Sequence, residues 1–237
     1  MGYKDPSAIH FHLAQIYEET KRPDMAMESY QMVKSGGRYL PAQIRYADLL
    51  ASKGYLQEAR EHLHKQPVAN DQQVAHLILA EAQILRRSKA HQEVFDLLNS
   101  GLKKLPDYPE LLYDRALAAD KLGKFNILEQ DLRKLIQLKP DNAHAYNALG
   151  YSLAERGAQL PEALKLIKRA VELSPEDPYI MDSLGWVYYR MGNFSDGLNY
   201  LNLASAARPD PEIAAHLGEV LWVQGAKEDA QNIWQSA

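Results

Sequence analysis

Between Pro178 and Pro209 the apolar positions fall into two stripes at helical spacing. Met181, Leu184, Gly185 and Tyr188 recur at steps of three and four, which predicts the buried face of one helix. Gly197, Leu201 and Ala204 predict the inner face of a second. Pro178 suits a first turn, where its missing N–H costs no hydrogen bond. Gly192 and Asn193 tolerate the left-handed conformation that ends a helix, and Pro209 stops the second one. At the crossing, Gly185 and Gly197 let the two backbones approach, with Tyr188 and Leu201 filling the space around them. Large residues there would push the pair apart at a cost of about 1–3 kcal/mol each. The pattern predicts a helical hairpin held by packing.

The same pattern recurs seven times. Ala14, Ala47, Ala82, Ala116, Gly150, Gly185 and Gly218 start the motif, at successive separations of 33, 35, 34, 34, 35 and 33 residues. Their partners on the second helix are Ala26, Ala59, Val94, Leu128, Ala163, Gly197 and Ala230. One extra residue between Gly150 and Ala163 is the only internal irregularity. The fifth repeat reads Tyr146, Leu149, Gly150, Leu153, then Ala163, Ile167, Ala170 and Pro175. The fourth ends in Leu138-Lys139-Pro140-Asp141, and the seventh carries Leu217, Gly218, Leu221, Ala230 and Trp234. A regular period of about 34 residues predicts a solenoid of stacked units. That architecture favours a binding role without naming the ligand.

Composition narrows the function further. The 237 residues are 46% hydrophobic and 24% charged, enough to bury a substantial core. A formal net charge of −4 supplies no global basic field, so neither nucleic acid nor an anionic membrane surface is an expected partner. No apolar run approaches the roughly 18 residues of a membrane-spanning helix. Cysteine is absent, which removes disulfides and thiolate chemistry. Met1-Gly2 runs almost directly into helical sequence with no signal segment, while Ile233 and Trp234 lie just before Ala237. The expectation is a piece of a longer protein with an open C-terminal end, through which self-association is conceivable.

These residues resemble the tetratricopeptide repeat. The resemblance implies an all-α fold, a right-handed α-solenoid of about seven helix-turn-helix units with a concave groove, continuous along the chain. Residues 1–70 form two divergent repeats, 71–108 a divergent third, and 109–237 four well-formed ones. No proline closes the first repeat, where Ser35-Gly36-Gly37 stands instead. The third has Glu81 where leucine is usual and Gly101 where alanine is. Residues 66–72 are the candidate joint.

A finer resemblance lies in the run Asp182 to Gly192, in Pro209 to Trp222 and in Ala148 to Ala154. They look like the C-terminal half of proteobacterial tetratricopeptide lipoproteins anchored to the outer membrane and facing the periplasm. One branch of that group activates a carboxy-terminal processing protease and helps present its substrates. The resemblance implies a signal peptide and lipidated cysteine upstream of Met1. It also implies a non-catalytic scaffold that joins such a protease to its substrates. The alternatives are a cytoplasmic or envelope-associated adaptor for pilus or outer-membrane assembly, and a substrate-presenting domain of a larger enzyme.

In such a superhelix the exposed side of each first helix lines the groove. Stepping by four and three along the sixth repeat gives Tyr179, Asp182, Trp186 and Tyr189, with Arg190 beside them. The fifth repeat offers His144, Asn147 and Tyr151, the fourth Tyr113 and Asp120, and the seventh Glu219 and Trp222. Exposed aromatics of this kind serve disproportionately as anchors for protein or peptide partners. The bland alternative is that Trp186 and Trp222 pack between helices. A carboxylate clamp of the chaperone-binding type does not fit. Its stations carry Phe11, Ile44, Leu79, Tyr113 and Asp182, and Asn147 alone cannot grip a carboxylate without Lys or Arg. Arg86, Arg87, Lys121 and Arg190 are scattered and read as solvated faces.

Catalytic and metal chemistry find no support. His10/His12 and His62/His64 are spaced by two, so on a helix each pair points apart and cannot close on one ion. Gly150 to Ala154 nearly mimics a nucleophile elbow, but Ala154 replaces the second glycine and no strand precedes it. No glycine-rich phosphate loop occurs, and no cofactor is expected.

Overall fold

A computed structural model describes residues 6–236. Met1 and Gly2, where no signal segment is read, and the terminal Ala237 lie outside the described residues. Those described hold fourteen α-helices and no strand, in the order the period predicts. They are α1 (Pro6–Glu19), α2 (Pro23–Gln31), α3 (Tyr39–Ser52), α4 (Leu56–His64), α5 (Asp71–Arg87), α6 (His91–Lys104) and α7 (Pro109–Lys121). Then follow α8 (Phe125–Leu138), α9 (Ala143–Glu155), α10 (Leu160–Leu173), α11 (Pro178–Arg190), α12 (Phe194–Ala207), α13 (Pro211–Val223) and α14 (Lys227–Ser236). The chain is an α-solenoid of helix-turn-helix repeats. It divides into two compact units, residues 1–118 and 119–237, with the division inside α7.

All fourteen small or apolar positions read from the sequence are buried. A second periodic feature sits between the helices. Lys21, Gly54, Lys89, Gly123, Gly157, Gly192 and Gly225 have positive φ, and each lies seven residues after the small residue that starts its repeat. This left-handed residue reverses the chain between the paired helices. Two of the seven are lysines, so the repeat imposes the conformation where the residue type does not favour it. The extra residue of the fifth repeat is absorbed here, by Gln159 at φ 47°, directly before α10.

In residues 1–118, α1 pairs with α2, α3 with α4 and α5 with α6, while α2 packs on α3 and α4 on α5. Ala14, Ala26, Tyr30, Val33 and Ala42 form one core cluster; Ala47, Ala59, Leu63 and Ile84 form the next. The two departures in the third repeat each have a local cause. Glu81 is buried and accepts from Arg60 Nε at 2.8 Å and His64 Nε2 at 2.7 Å, the pairing a buried carboxylate needs. At Gly101 a Cβ would stand 3.0 Å from Ile78 Cδ1, so the glycine leaves room for that side chain. The segment 66–72 is shorter than expected, since α5 begins at Asp71. Asn70 Oδ1 caps α5 by accepting from Gln73 N at 2.9 Å, and Gln73 Oε1 reaches back to accept from Ala69 N, one residue before the cap, at 2.7 Å.

In residues 119–237, α9 pairs with α10, α11 with α12 and α13 with α14; α10 packs on α11 and α12 on α13. Gly185 marks the tightest crossing. A Cβ there would fall 2.7 Å from Leu201 Cγ and 2.9 Å from Gly197 O. The seventh repeat uses its glycine differently. The Trp234 indole occupies the notch above Gly218 and meets Trp222 with ring centroids 5.8 Å apart. Ile233 joins the Leu201, Leu217 and Val220 cluster. The first helices also touch one another, α9 against α11 and α11 against α13.

Candidate functional site

Each of the three first helices in residues 119–237 starts on a side-chain cap. Asn142 accepts from Ala145 N, Asp177 from Tyr179 N and Ile180 N, and Asp210 from Glu212 N. Pro178 and Pro211 follow at the first helical positions, where the imino nitrogen sacrifices nothing. These caps fix where α9, α11 and α13 begin, and the packing of α9 on α11 and α11 on α13 sets their exposed sides next to one another.

Most of the residues expected on a groove lie on this face, but not all of them are exposed. Trp186 is only 4% exposed and Asp182 equally buried, which corrects their assignment as accessible anchors. The reason lies in neighbours one repeat away on either side. Trp186 stacks on His216 of α13 with centroids 4.2 Å apart and planes 21° apart. Its Nε1 donates to Glu155 Oε2 of α9 at 2.8 Å. Asp182 accepts from His216 Nδ1 at 2.8 Å. Trp186 therefore packs between helices, and Trp222 does so only in part, at 40% exposure beside Trp234.

Tyr179 and Trp222 stay exposed, and Asn147, Tyr151, Tyr189 and Arg190 are half-buried. Tyr189 OH donates to Glu219 at 3.1 Å, and Tyr179 OH to Asp210 at 3.1 Å. Arg190 donates to the Glu155 carbonyl at 2.6 Å, its guanidinium 5.9 Å from the Trp186 ring centre. Asn147 Oδ1 is buried without a hydrogen-bond partner. Tyr113 belongs to the other compact unit, half-buried on α7.

His216 links all three repeats. Besides the Asp182 contact, its Nε2 lies 3.3 Å from Tyr151 OH, and Tyr151 OH also donates towards Glu212 Oε1 at 3.5 Å. Burial disfavours the imidazolium, but the hydrogen bond to Asp182 and the charges of Asp182, Glu212 and Glu155 outweigh it. The His216 pKa is raised above the ordinary value. Burial first, then the charges of Glu155, Glu212 and Asp182, push the Tyr151 phenol far above its usual range. The chain Asp182–His216–Tyr151 has the connectivity of a general-base relay. Here it ties three successive repeats together through side-chain hydrogen bonds. Among the described residues no group of three or more His, Asp or Glu side chains is placed to hold a metal ion.

A group protonated more readily when folded stabilises the protein in acid. The His216 contribution is complete below its unfolded pKa of about 6.5 and disappears as pH rises through the higher folded value. The melting temperature of the wild type should thus decline from pH 6 to pH 8 more steeply than that of His216→Gln. Parallel profiles would mean that His216 does not titrate in the fold.

The sequence reading missed His216, Glu155 and Glu212. A usable signal existed, since His216 and Asp182 are 34 residues apart, one repeat period. Cross-repeat partners of this kind recur: Tyr179 with Asp210, Trp186 with Glu155 and Tyr189 with Glu219.

The tetratricopeptide repeat family pattern matches residues 113–178 and 183–236, and a second pattern of the same description matches residues 7–32. A TPR repeat-containing protein of Pseudomonas aeruginosa, PA4667, is 42% identical over 212 residues, which is 90% of this chain. The chain spans only 36% of that relative's length. The crystal structure of a tetratricopeptide repeat protein from Parabacteroides merdae superposes with a TM-score of 0.73 over 98% of this chain and 92% of its own, at 15% identity. YrrB, described as a TPR protein with an unusual peptide-binding site, superposes with a TM-score of 0.56 over 78% of this chain and 91% of its own, at 20% identity. At such identities the likeness concerns the fold.

Proposed function

We propose that this chain, which belongs to the tetratricopeptide repeat family, is a non-catalytic docking scaffold that takes a protein or peptide partner on the α9–α11–α13 face. The observation that carries this reading is the division of labour among the aromatics. Trp186 and His216 are stacked and buried, Tyr189 packs on Trp186 with ring centroids 5.0 Å apart and stays half-buried, and Tyr179 and Trp222 keep exposed rings on α11 and α13. Ordered rings that retain exposed area lose little rotamer entropy on contact and make good anchors. The repeat fold is generally non-catalytic, and a peptide-binding neighbour of similar fold fits the reading.

The test replaces Tyr189 and Trp222 together by alanine. Crosslinking and mass spectrometry first identify a partner of the wild type, and calorimetry then measures both proteins against it. The double variant should lose at least about 2 kcal/mol of binding with unchanged helicity. Undiminished affinity would remove the site from this face.

A finer reading concerns place and partner. The runs Asp182 to Gly192, Pro209 to Trp222 and Ala148 to Ala154 support a lipoprotein on the periplasmic side of the outer membrane that joins a carboxy-terminal processing protease to its substrates. Fractionation of the full-length protein decides the location, and co-purification decides the partner. Recovery in the cytoplasm would overturn the location.

A further inference from the structure

We propose that the α9–α11–α13 face takes a basic peptide, whose arginine or lysine side chains seat against Glu155, Glu212 and Glu219 and the rings beside them. This rests on the docking reading and adds the class of partner.

The grounds are how the carboxylates of this face are satisfied. Glu155, Glu212 and Glu219 are exposed, and each takes a hydrogen bond from a neutral aromatic donor: Trp186, Tyr151 and Tyr189 respectively. Among the described residues none of the three pairs with a lysine or arginine within 4.0 Å. Other carboxylates of the chain are treated differently. Arg133 spans Glu129 and Glu162, Arg86 holds Asp114, and Arg60 bridges Glu81 and Glu93. Even Arg190, close by, gives its NH1 to the Glu155 main-chain carbonyl and not to the carboxylate. Asp182 takes His216 Nδ1, and the chain's own nearby cations lie over rings and not on these carboxylates: Arg190 over Trp186, Arg208 over Tyr179 and Lys227 over Trp222.

The outcome is negative charge gathered around Tyr151 from three successive repeats. Glu155, Asp182 and Glu212 all act on that one phenol. Like charges held together are costly until a cation arrives, so the face is complementary to positive side chains. A guanidinium suits both components, lying flat on a tyrosine ring while its fork meets a carboxylate at the ring's edge. Because the carboxylate–aromatic pairs are distributed over α9, α11 and α13, an extended chain crossing the helices would meet more than one of them.

Three fluorescein-labelled peptides of one pattern test this: arginine alternating with leucine, citrulline in place of arginine, and glutamate in place of arginine. By fluorescence anisotropy the arginine peptide should bind about tenfold or more tightly than the citrulline peptide, and the glutamate peptide should bind worst. Glu155→Gln with Glu212→Gln keeps acceptors for Trp186 and Tyr151 but removes two charges, and should lower arginine-peptide affinity about tenfold. Glu172→Gln with Glu228→Gln makes the same charge change off the face and should alter it little. Equal binding of the arginine and citrulline peptides, full affinity in the on-face double variant, or no binding of the arginine peptide would each overturn the inference. If partner affinity still falls in Tyr189→Ala with Trp222→Ala, docking stands and only the basic class fails. If it does not fall, the docking reading fails with it.

Discussion

Trp186→Ala is expected to lower the stability of residues 119–237 by about 3–5 kcal/mol, the range for truncating a buried large aromatic. Trp186 is nearly inaccessible and touches three repeats at once through Glu155, Tyr189 and His216. Alanine would leave a cavity, expose one face of the His216 ring and strand the Glu155 contact. In a repeat protein, stability depends on each repeat and its interfaces with neighbours, so loss of this bridge should loosen α9 and α13 from α11. Trp222→Ala should cost far less, because that ring is already 40% exposed and rests mainly on Trp234. Denaturant titration separates the two. A Trp186→Ala protein as stable as Trp222→Ala would show that Trp186 is an accessible anchor after all, the role the sequence suggested.

The seven repeats were legible because their signal is local and steric. A small residue must stand where two helices touch, and it recurs near every 34 residues. The left-handed residue between the helices was legible at Gly192, where glycine announces it. At Lys21 and Lys89 it was not, since only the surrounding hairpin demands that conformation. The face was legible as a set of positions but not as a surface. Helical stepping places Asp182 and Trp186 on the side away from the hairpin partner. It cannot tell that α9 and α13 close over them. His216 was missed because histidine partners were weighed only as metal-ligand pairs spaced within one helix, whereas its partners lie on the two preceding repeats. Glu81 departs from the repeat pattern for a related reason, its Arg60 and His64 partners coming from α4.

Gly185→Leu should cost at least about 1–3 kcal/mol and open the α11–α12 hairpin. What decides the size is the identity of the neighbour. At Gly185 the first added carbon already meets the main chain, Gly197 O at 2.9 Å and Leu201 N at 3.0 Å, besides Leu201 Cγ. Helix backbones cannot step aside singly, so α12 must move as a body, and Leu201 would leave its cluster with Leu217 and Val220. Gly218 offers an informative contrast. A carbon there would fall 2.1 Å from Trp234 Nε1, closer than any contact at Gly185. Yet Trp234 is a half-exposed side chain near the end of the described helix and can swing away, so Gly218→Ala should cost less than Gly185→Ala. Gly37→Ala, with nothing within 4 Å of the new carbon, serves as the reference. Melting curves for these variants should rank Gly185 as the most sensitive and Gly37 as the least. If Gly218→Ala were instead the most destabilising, the Trp234 notch, and not backbone approach in the sixth repeat, would be the tighter constraint on residues 119–237.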